Sequence, residues 1–359
     1  MASSACSGGG SPTSGGTTSG ATTSSGAGGA PPAAPYTIHA LDDVRIGSDS
    51  SQPNFQKATA DIDLANGPFS SVILHLKLRS TCYPFDNWKT DKPPAGQNWP
   101  ADCDAFDRNF ETSLASPEAA PDAPRVELVR AITPFGGPLQ IDEDVTDVAN
   151  GLPGKRRLEV DITTWSDGAG KVSGSNGGWN VTADLEVVPG PAPHAVLAVV
   201  PIYYDSDKLP AGPGPLAFDV PDGAASGRID YRVTGHGGPN TGPGCIGPAE
   251  EFCKRDHHIS IDGQEVAVIQ PWRTDCAKNC TPATYSGFSQ PLTYCLENPC
   301  GDQNSVKAPR ANWCPGTETP PLAFDVPPTP GAHTFQFAIP KMLDGGEWRV
   351  SATYLAFGP

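Results

Sequence analysis

The sequence predicts an all-β protein of two sandwiches or jelly rolls, and three observations carry that prediction. Gly and Pro number 40 each among 359 residues, about twice ordinary usage. Both residues break helix interiors, which excludes a helix bundle or coiled coil, and both supply the turns between short strands. From Tyr36 onward apolar residues alternate with polar ones, the period of a strand buried on one face. Pro189-Gly190-Pro191 divides this strand-rich sequence into blocks 36–189 and 190–359, each long enough for its own core.

The elements follow in chain order. Residues 1–35 are almost all Ser, Gly, Thr, Ala and Pro; with nothing to bury, they are expected to form a disordered linker. In the first block, Val72, Leu74, Leu76 and Leu78 alternate with Ile73, His75, Lys77 and Arg79. Leu158, Val160 and Ile162 repeat the pattern, as do Val181, Ala183, Leu185 and Val187. Residues 142–150 (DEDVTDVAN) are the one stretch read as a short helix. The second block opens with 195–204 (AVLAVVPIYY), whose continuous apolar run predicts a strand buried on both faces. Ile229, Tyr231 and Val233 form another alternating strand, and Phe335, Phe337 and Ile339 a further one. The heptapeptide PLAFDVP occurs at 215–221 and again at 321–327, which reads as two equivalent turn–strand–turn elements. Between them lies an insertion, 264–314, with little periodicity and with Cys276, Cys280, Cys295, Cys300 and Cys314. A loop of that length needs staples or a function.

Charge and cysteine content narrow the class. The net charge is −16. No basic stripe offers clustered Lys and Arg to phosphates, which excludes nucleic acid. No run of about 18 apolar residues spans a membrane. The cysteines form no paired CxxC zinc pattern and are expected to be disulfides, hence a secreted or cell-envelope protein. No apolar signal core follows Met1, so a signal peptide is expected to be absent or removed. Cys6, between small residues and a flexible tether, suggests a lipoprotein anchor, although the apolar half of a lipobox is missing.

Three constellations carry chemistry. The first is Cys103-Asp104-Ala105-Phe106-Asp107-Arg108, after an excursion that starts at Cys82. A Cys82–Cys103 disulfide would close the excursion. Asp107 beside Arg108 is then either an ion-paired carboxylate at a strand start or a surface Asp in a turn. The second is Glu250-Glu251-Phe252-Cys253-Lys254-Arg255-Asp256-His257-His258, after a Gly-rich stretch around His236. A Cys245–Cys253 bridge would hold Glu251 in a small ring, which suits a preorganised group; otherwise the two acids are a solvated turn. His257-His258 invites a metal reading. Neighbours along a strand point to opposite faces, so structural His residues are expected, with no metal. The third joins Trp165 with Arg310 and Trp313, either an aromatic and guanidinium platform for sugar rings or core Trp plus surface Arg.

At these residues the sequence resembles the peptide-N-glycosidase F family. The motifs are Cys-Asp-x-(aromatic)-Asp-Arg at 103–108, Glu-Leu-x-Arg-x-Ile-Thr-Pro-(aromatic) at 127–135 and Thr-Trp at 164–165. Val-Val-Pro at 199–201, Ala-Glu-x-(aromatic)-Cys-x-Arg-x-His at 249–257, with one displacement, and Arg-Ala-x-Trp-Cys-Pro-Gly at 310–316 complete them. The resemblance covers most of 36–359. It implies two adjacent eight-stranded antiparallel jelly rolls with the site between them. It further implies hydrolysis of the Asn side-chain amide that carries an N-glycan, with no cofactor, on glycoprotein substrates, by a protein expected to act as a monomer. Carried over, Asp107 is the principal catalytic carboxylate and Glu251 the second, holding a water near the first sugar. Arg108 would pair with Asp107 and lower its pKa. Phe106, Thr163, Trp165, His236, Arg310 and Trp313 would line the sugar pocket, and Cys276 would pair with Cys314. An alternative is a glycan-binding protein of the same fold without turnover.

The sequence departs from that pattern in places. Thr163 stands where the family has its third acid, with Asp161 as a partial substitute on the same strand face. His236 stands where the family has Trp. Cys245 precedes Cys253 by eight residues rather than four. Cys280, Cys295 and Cys300 are additional, which leaves one of the three unpaired.

Overall fold

Alternation in the sequence becomes four main antiparallel sheets and a hairpin in the computed structural model, which describes residues 34–65 and 67–359. The linker expected at 1–35 and the tether at Cys6 lie outside the described residues, apart from exposed Ala34 and Pro35. The first block supplies β1 (Tyr36–Gly47), β2 (Lys57–Asp63), β3 (Phe69–Ser80), β4 (Asn109–Ala115) and β5 (Val126–Ile132). It continues with β6 (Leu139–Asp144), α1 (Thr146–Gly151), β7 (Lys155–Ile162) and β8 (Gly178–Pro189).

One sheet has the order β1-β8-β3-β6. Its apolar sets meet directly: Leu74 pairs with Leu185 and Leu76 with Ala183, all four facing the core. A fully buried Leu in such a core contributes about 2 kcal/mol. The helix expected at 142–150 is displaced. Residues 142–144 complete β6, where Asp142 opposes His75 on β3, and the helix runs from Thr146 to Gly151. Cross-strand pairing outweighs the helix-favouring acids there.

The second block supplies β9 (Val196–Asp207), β10 (Leu216–Val220), β11 (Ser226–Gly237), β12 (His257–Ile261), β13 (Gln264–Ile269), β14 (Pro282–Tyr285) and β15 (Leu292–Cys295). It closes with α2 (Gln303–Lys307), β16 (Thr317–Glu318), β17 (Leu322–Val326), β18 (Gly331–Ala338) and β19 (Gly346–Phe357). Sheets β17-β11-β19-β9 and β10-β18-β12-β13 enclose the second core, around Tyr231, Trp348, Phe335 and Phe337. The two PLAFDVP copies are β10 and β17, each an edge strand with Pro at both ends. Pro on an edge discourages further strand pairing.

Two expectations change here. Strand β9 is an edge strand, mostly half-buried, with Leu197 45% exposed. Its apolar run serves two cores, Val196 and Val199 packing in the first and Ile202 and Tyr203 in the second. Residues 264–269, counted with the insertion, are β13, paired with β12. The rest of the insertion is the β14–β15 hairpin and α2, and its cysteines form Cys276–Cys314 and Cys280–Cys295.

The other sheet of the first block, β16-β5-β4-β7-β2, takes its edge strand β16 from the second block. Its strand β5 is buried along its whole length. A bulge in the β4–β5 ladder pairs Ser113 with Glu127 and Glu111 with Arg130. The extra residue turns both charged side chains of β5 to one side. They meet a buried polar seam on the second sandwich. Glu111 pairs with Arg349 and accepts from the Tyr204 hydroxyl at 2.7 Å. Arg130 binds Glu127 and donates to the carbonyls of Arg232 and Arg349, while Arg232 donates to the carbonyls of Glu127 and Leu128. Its charges are paired and hydrogen-bonded, as burial requires. The Arg349 and Arg130 cations hold the Glu111 carboxyl well below its usual range despite burial.

Candidate active site

At one end of this seam, where β11 runs out at Gly237 and β4 begins at Asn109, the sandwiches part around a cavity of about 110 Å³. Asp107, Arg108, Asn109, Ile132 and Thr163 line it from the first block, and His236, Glu251 and Trp313 from the second.

Asp107 is held by what surrounds it. The Cys82–Cys103 bridge closes the excursion before it. Thr133 then clamps both its neighbours: its hydroxyl accepts from the Arg108 amide at 2.8 Å and donates to the Phe106 carbonyl at 3.3 Å. Glu251 sits in a single 3-10 turn, Glu250–Phe252, inside the ring closed by Cys245–Cys253. Its backbone carbonyl accepts from Ala311 at 2.8 Å, which ties the turn to the segment carrying Arg310.

Arg310 joins the two acids. Its guanidinium donates to Glu251 Oε1 at 2.6 Å and lies 4.0 Å from Asp107 Oδ2, with the side chain only 1% exposed. Helix α2, N-capped by Asp302, presents Ser305, whose carbonyl and hydroxyl accept from Arg310 Nη2 at 2.9 Å each. The guanidinium lies 4.4 Å from the Trp313 ring and 4.7 Å from Phe252. A planar cation held by stacking and bidentate donation is suited to hold two carboxylates in register.

Burial dominates the electrostatics. It pushes Asp107 above the usual carboxylate range, although Arg310 and then Arg108 pull it down. It pushes Glu251 up to about 7, against the pull of Arg310 and with help from the Asp107 carboxylate. His236 is pressed down to about 3 by burial and by the Arg349 and Arg130 cations. Its ring is neutral, stacked on Trp313 at 5.4 Å, and its Nε2 is buried without a partner. Two acids around one cation can hold a single proton near neutral pH, which is the arrangement for paired base and acid work.

Several expectations are corrected. Arg108 does not pair with Asp107; its cation still pulls the Asp107 carboxyl down, but burial outweighs that pull. Arg108 forms a two-pronged ion pair with buried Asp104, with Nε to Oδ2 at 2.9 Å and Nη2 to Oδ1 at 2.9 Å, and donates to the Trp165 carbonyl at 3.0 Å. Successive side chains of an extended segment diverge, so the sequence neighbour is not the partner. Trp313 is 2% exposed and backs Arg310 and His236 rather than offering an open face. Trp165 is 50% exposed, and neither it nor Phe106, packed toward Phe135, lines the cavity. Asp161 offers no substitute acid in the cleft, because it lies between Lys57 at 3.3 Å and Arg125 at 3.4 Å. His257 is buried against the Tyr231 hydroxyl and Trp348, while His258 meets Glu265 on the other face.

Sequence reasoning missed Asp104, Ser305 and Glu250. Asp104 and Glu250 stand at fixed positions of the motifs at 103–108 and 249–257, but nothing in the sequence identified the partner of either. Glu250 is fully buried, the opposite of a solvated turn. Among the described residues Cys300 is the free cysteine, and its sulfur lies within 4.8 Å of those of Cys82 and Cys103.

Comparison with known proteins agrees with the fold. Residues 205–355 match the family model described as peptide-N-glycosidase F, C terminal. No curated protein matches the sequence. Among solved structures, PNGF-II is 20% identical, with a TM-score of 0.66 over 90% of this chain. The chain spans 65% of the length of that PNGF-II structure. A peptide-N(4)-(N-acetyl-β-D-glucosaminyl) asparagine amidase is 18% identical, with 90% of this chain and 96% of that one covered and a TM-score of 0.63. PNGase F, a glycosylasparaginase from Flavobacterium meningosepticum, is 19% identical, with the same coverage and a TM-score of 0.62. The chain thus has the two-domain jelly-roll fold of these structures, and over residues 205–355 it resembles the peptide-N-glycosidase F C-terminal family.

Proposed function

We propose that the protein is an amidase acting on N-linked glycoproteins or glycopeptides. Water adds to the side-chain amide carbon of the glycosylated Asn, and the C–N bond breaks. The products are Asp and the glycan as a glycosylamine. One observation carries the reading: in a peptide-N-glycosidase F-like fold, Asp107 from one sandwich and Glu251 from the other line a single cleft beside Arg310. Asp107, ionised, takes or orients the proton of the attacking water. Glu251, raised to about 7, holds a water at the first sugar and supplies a proton toward the leaving nitrogen. Arg310 keeps the pair from repelling. Thr163, Arg108 and the neutral His236 line the cleft and offer hydrogen bonds to the glycan, with Trp313 behind His236 and Arg310. No cofactor is needed for this chemistry.

The four disulfides suit an oxidising compartment, and the reading places the protein outside the cell or in its envelope. Among the described residues no helix is long and apolar enough to cross a membrane. A second reading, glycan binding without turnover, draws on Thr163, which brings a hydroxyl and no charge to the cleft. Incubating a denatured N-glycoprotein in heavy-oxygen water separates the two. The amidase turns Asn into labelled Asp, whereas glycan retained on unmodified Asn, with measurable binding, leaves only the lectin-like alternative.

A further inference from the structure

We propose that Glu250, which lies outside the cleft, is the positioning residue of Glu251: with Arg255 and Trp348 it locks the turn that aims the Glu251 carboxylate into the cleft. The inference rests on the site reading above and adds to it a group that touches neither substrate nor reacting atoms.

Glu250 is fully buried, and its carboxylate accepts four hydrogen bonds. Oε1 takes Arg255 Nε at 2.7 Å and Trp348 Nε1 at 3.0 Å. Oε2 takes Arg255 Nη2 at 3.2 Å and the Leu343 amide at 3.0 Å. Arg255, itself 2% exposed, continues across the ring, donating to the Pro243 carbonyl at 2.8 Å and touching Cys245 Sγ at 3.3 Å. The anchor therefore grips β19, the loop before it and both arms of the disulfide ring.

The local backbone supplies the second observation. In a 3-10 turn successive side chains stand about 120° apart. If Glu250 points inward, the direction of Glu251 follows. The residue before them, Ala249, has φ 80 and ψ 151, a conformation that L side chains rarely adopt. It is held there by its amide, which donates to Asn240 at 2.8 Å, and by its carbonyl, which accepts from Phe252 at 3.1 Å. Such a conformation persists only where surrounding contacts over-determine it. Gly346 makes room for the anchor, since a Cβ there would lie 3.0 Å from Glu250 Cβ. Released from Glu250, Ala249 would relax to an ordinary φ and roll the turn, and Glu251 with it.

The test replaces the whole ion pair by apolar groups in E250L/R255M, which removes one negative and one positive charge together and leaves the net charge near Glu251 unchanged. Glu-labelled protein is titrated by carboxyl carbon NMR, with the Glu251 signal assigned by its loss in E251Q. The wild-type carboxyl, which burial pushes up to about 7, is expected to titrate there. In the folded double variant the midpoint should fall by about one unit or more as the turn rolls toward solvent. On an N-glycopeptide kcat should fall about 100-fold with KM within a few-fold, the cost of a displacement near 1 Å. A folded double variant with an unmoved Glu251 midpoint and unchanged kcat overturns the proposal. If the double variant fails to fold, R255K decides. Lysine keeps the charge but loses the fork, so a smaller shift in the same direction is expected, and an unmoved midpoint again overturns the proposal. The titration needs no turnover, so an inactive wild type would sink the amidase reading without touching this result.

Discussion

Arg310→Met removes the cation that reaches both carboxylates, and its effect can be worked out from the distances. Asp107 Oδ2 lies 4.0 Å from the guanidinium. Unit charges at that separation interact by about 4 kcal/mol at an effective dielectric near 20. That corresponds to about three pKa units. Water entering the vacated space screens part of it, so a rise of about one to three units is expected for Asp107, which burial already raises. Glu251 loses its 2.6 Å donor as well and rises with it. The assay is the pH dependence of kcat/KM on an N-glycopeptide, whose acid limb reports the base of the free enzyme. The limb should move up by that amount in R310M, so that at a fixed pH on the limb the rate falls about 10- to 1000-fold and recovers at higher pH. Met fills the space between Phe252 and Trp313 without charge, and circular dichroism checks the fold. A folded R310M whose acid limb coincides with that of wild type would refute the electrostatic role given to Arg310.

Three further outcomes are expected. Thr163→Ala removes a hydroxyl that lines the cleft; the loss of one neutral hydrogen bond, about 1 kcal/mol, should raise KM about fivefold with little change in kcat, and an unchanged KM would remove Thr163 from the sugar contacts. Burial and the Glu318 carboxylate push Glu143 up to about 7, so the folded state keeps a proton that the unfolded chain releases near pH 4.5. Stability from this group is full below that pH and is lost as pH rises to about 7, by about 3 kcal/mol at most. E143Q should therefore lessen the fall in Tm between pH 5 and 8, and an unaltered fall would count against the raised carboxyl. Burial also pushes the Cys300 thiol up, which leaves little reactive thiolate. Iodoacetamide at pH 8 should label Cys300 far more slowly in native than in denatured protein, as read by peptide mass spectrometry, and equal rates would contradict the raised thiol.

Much of the fold was legible because burial leaves a period in the sequence. Val72 to Leu78, Leu158 to Ile162 and Val181 to Val187 alternate because each lies on a sheet with one face in a core. The exceptions share a cause. Asp142 and Glu143 look like helix-starting acids, yet β3 lies alongside and takes them as a strand. The run in β9 looks like a central strand, yet it divides its apolar residues between two cores at a sheet edge. In the candidate site, residue types and their order were legible through motifs, while partners were not. Arg108 stands beside Asp107 in the chain and pairs with Asp104; Arg310, distant in the chain, reaches both acids. Glu250 and Glu251 are alike in sequence, and only Arg255, Trp348 and Leu343 make one an anchor and leave the other in the cleft.

The short strand β16 has a consequence for the order in which the molecule is made. Thr317 and Glu318 pair with Ile132 and Ala131, and Leu355 joins the first core. A ribosome delivers these residues only after the whole of the first block has emerged. Until then β5 keeps an open edge, and the side chains of Glu127 and Arg130 wait for their partners on β11 and β19. Contacts so far apart in sequence close slowly, and uncovered strand edges invite association between chains. A nascent first domain released early, or a chain truncated before residue 317, should therefore depend on chaperones or aggregate, and only completion of the second sandwich commits the first to its native sheet.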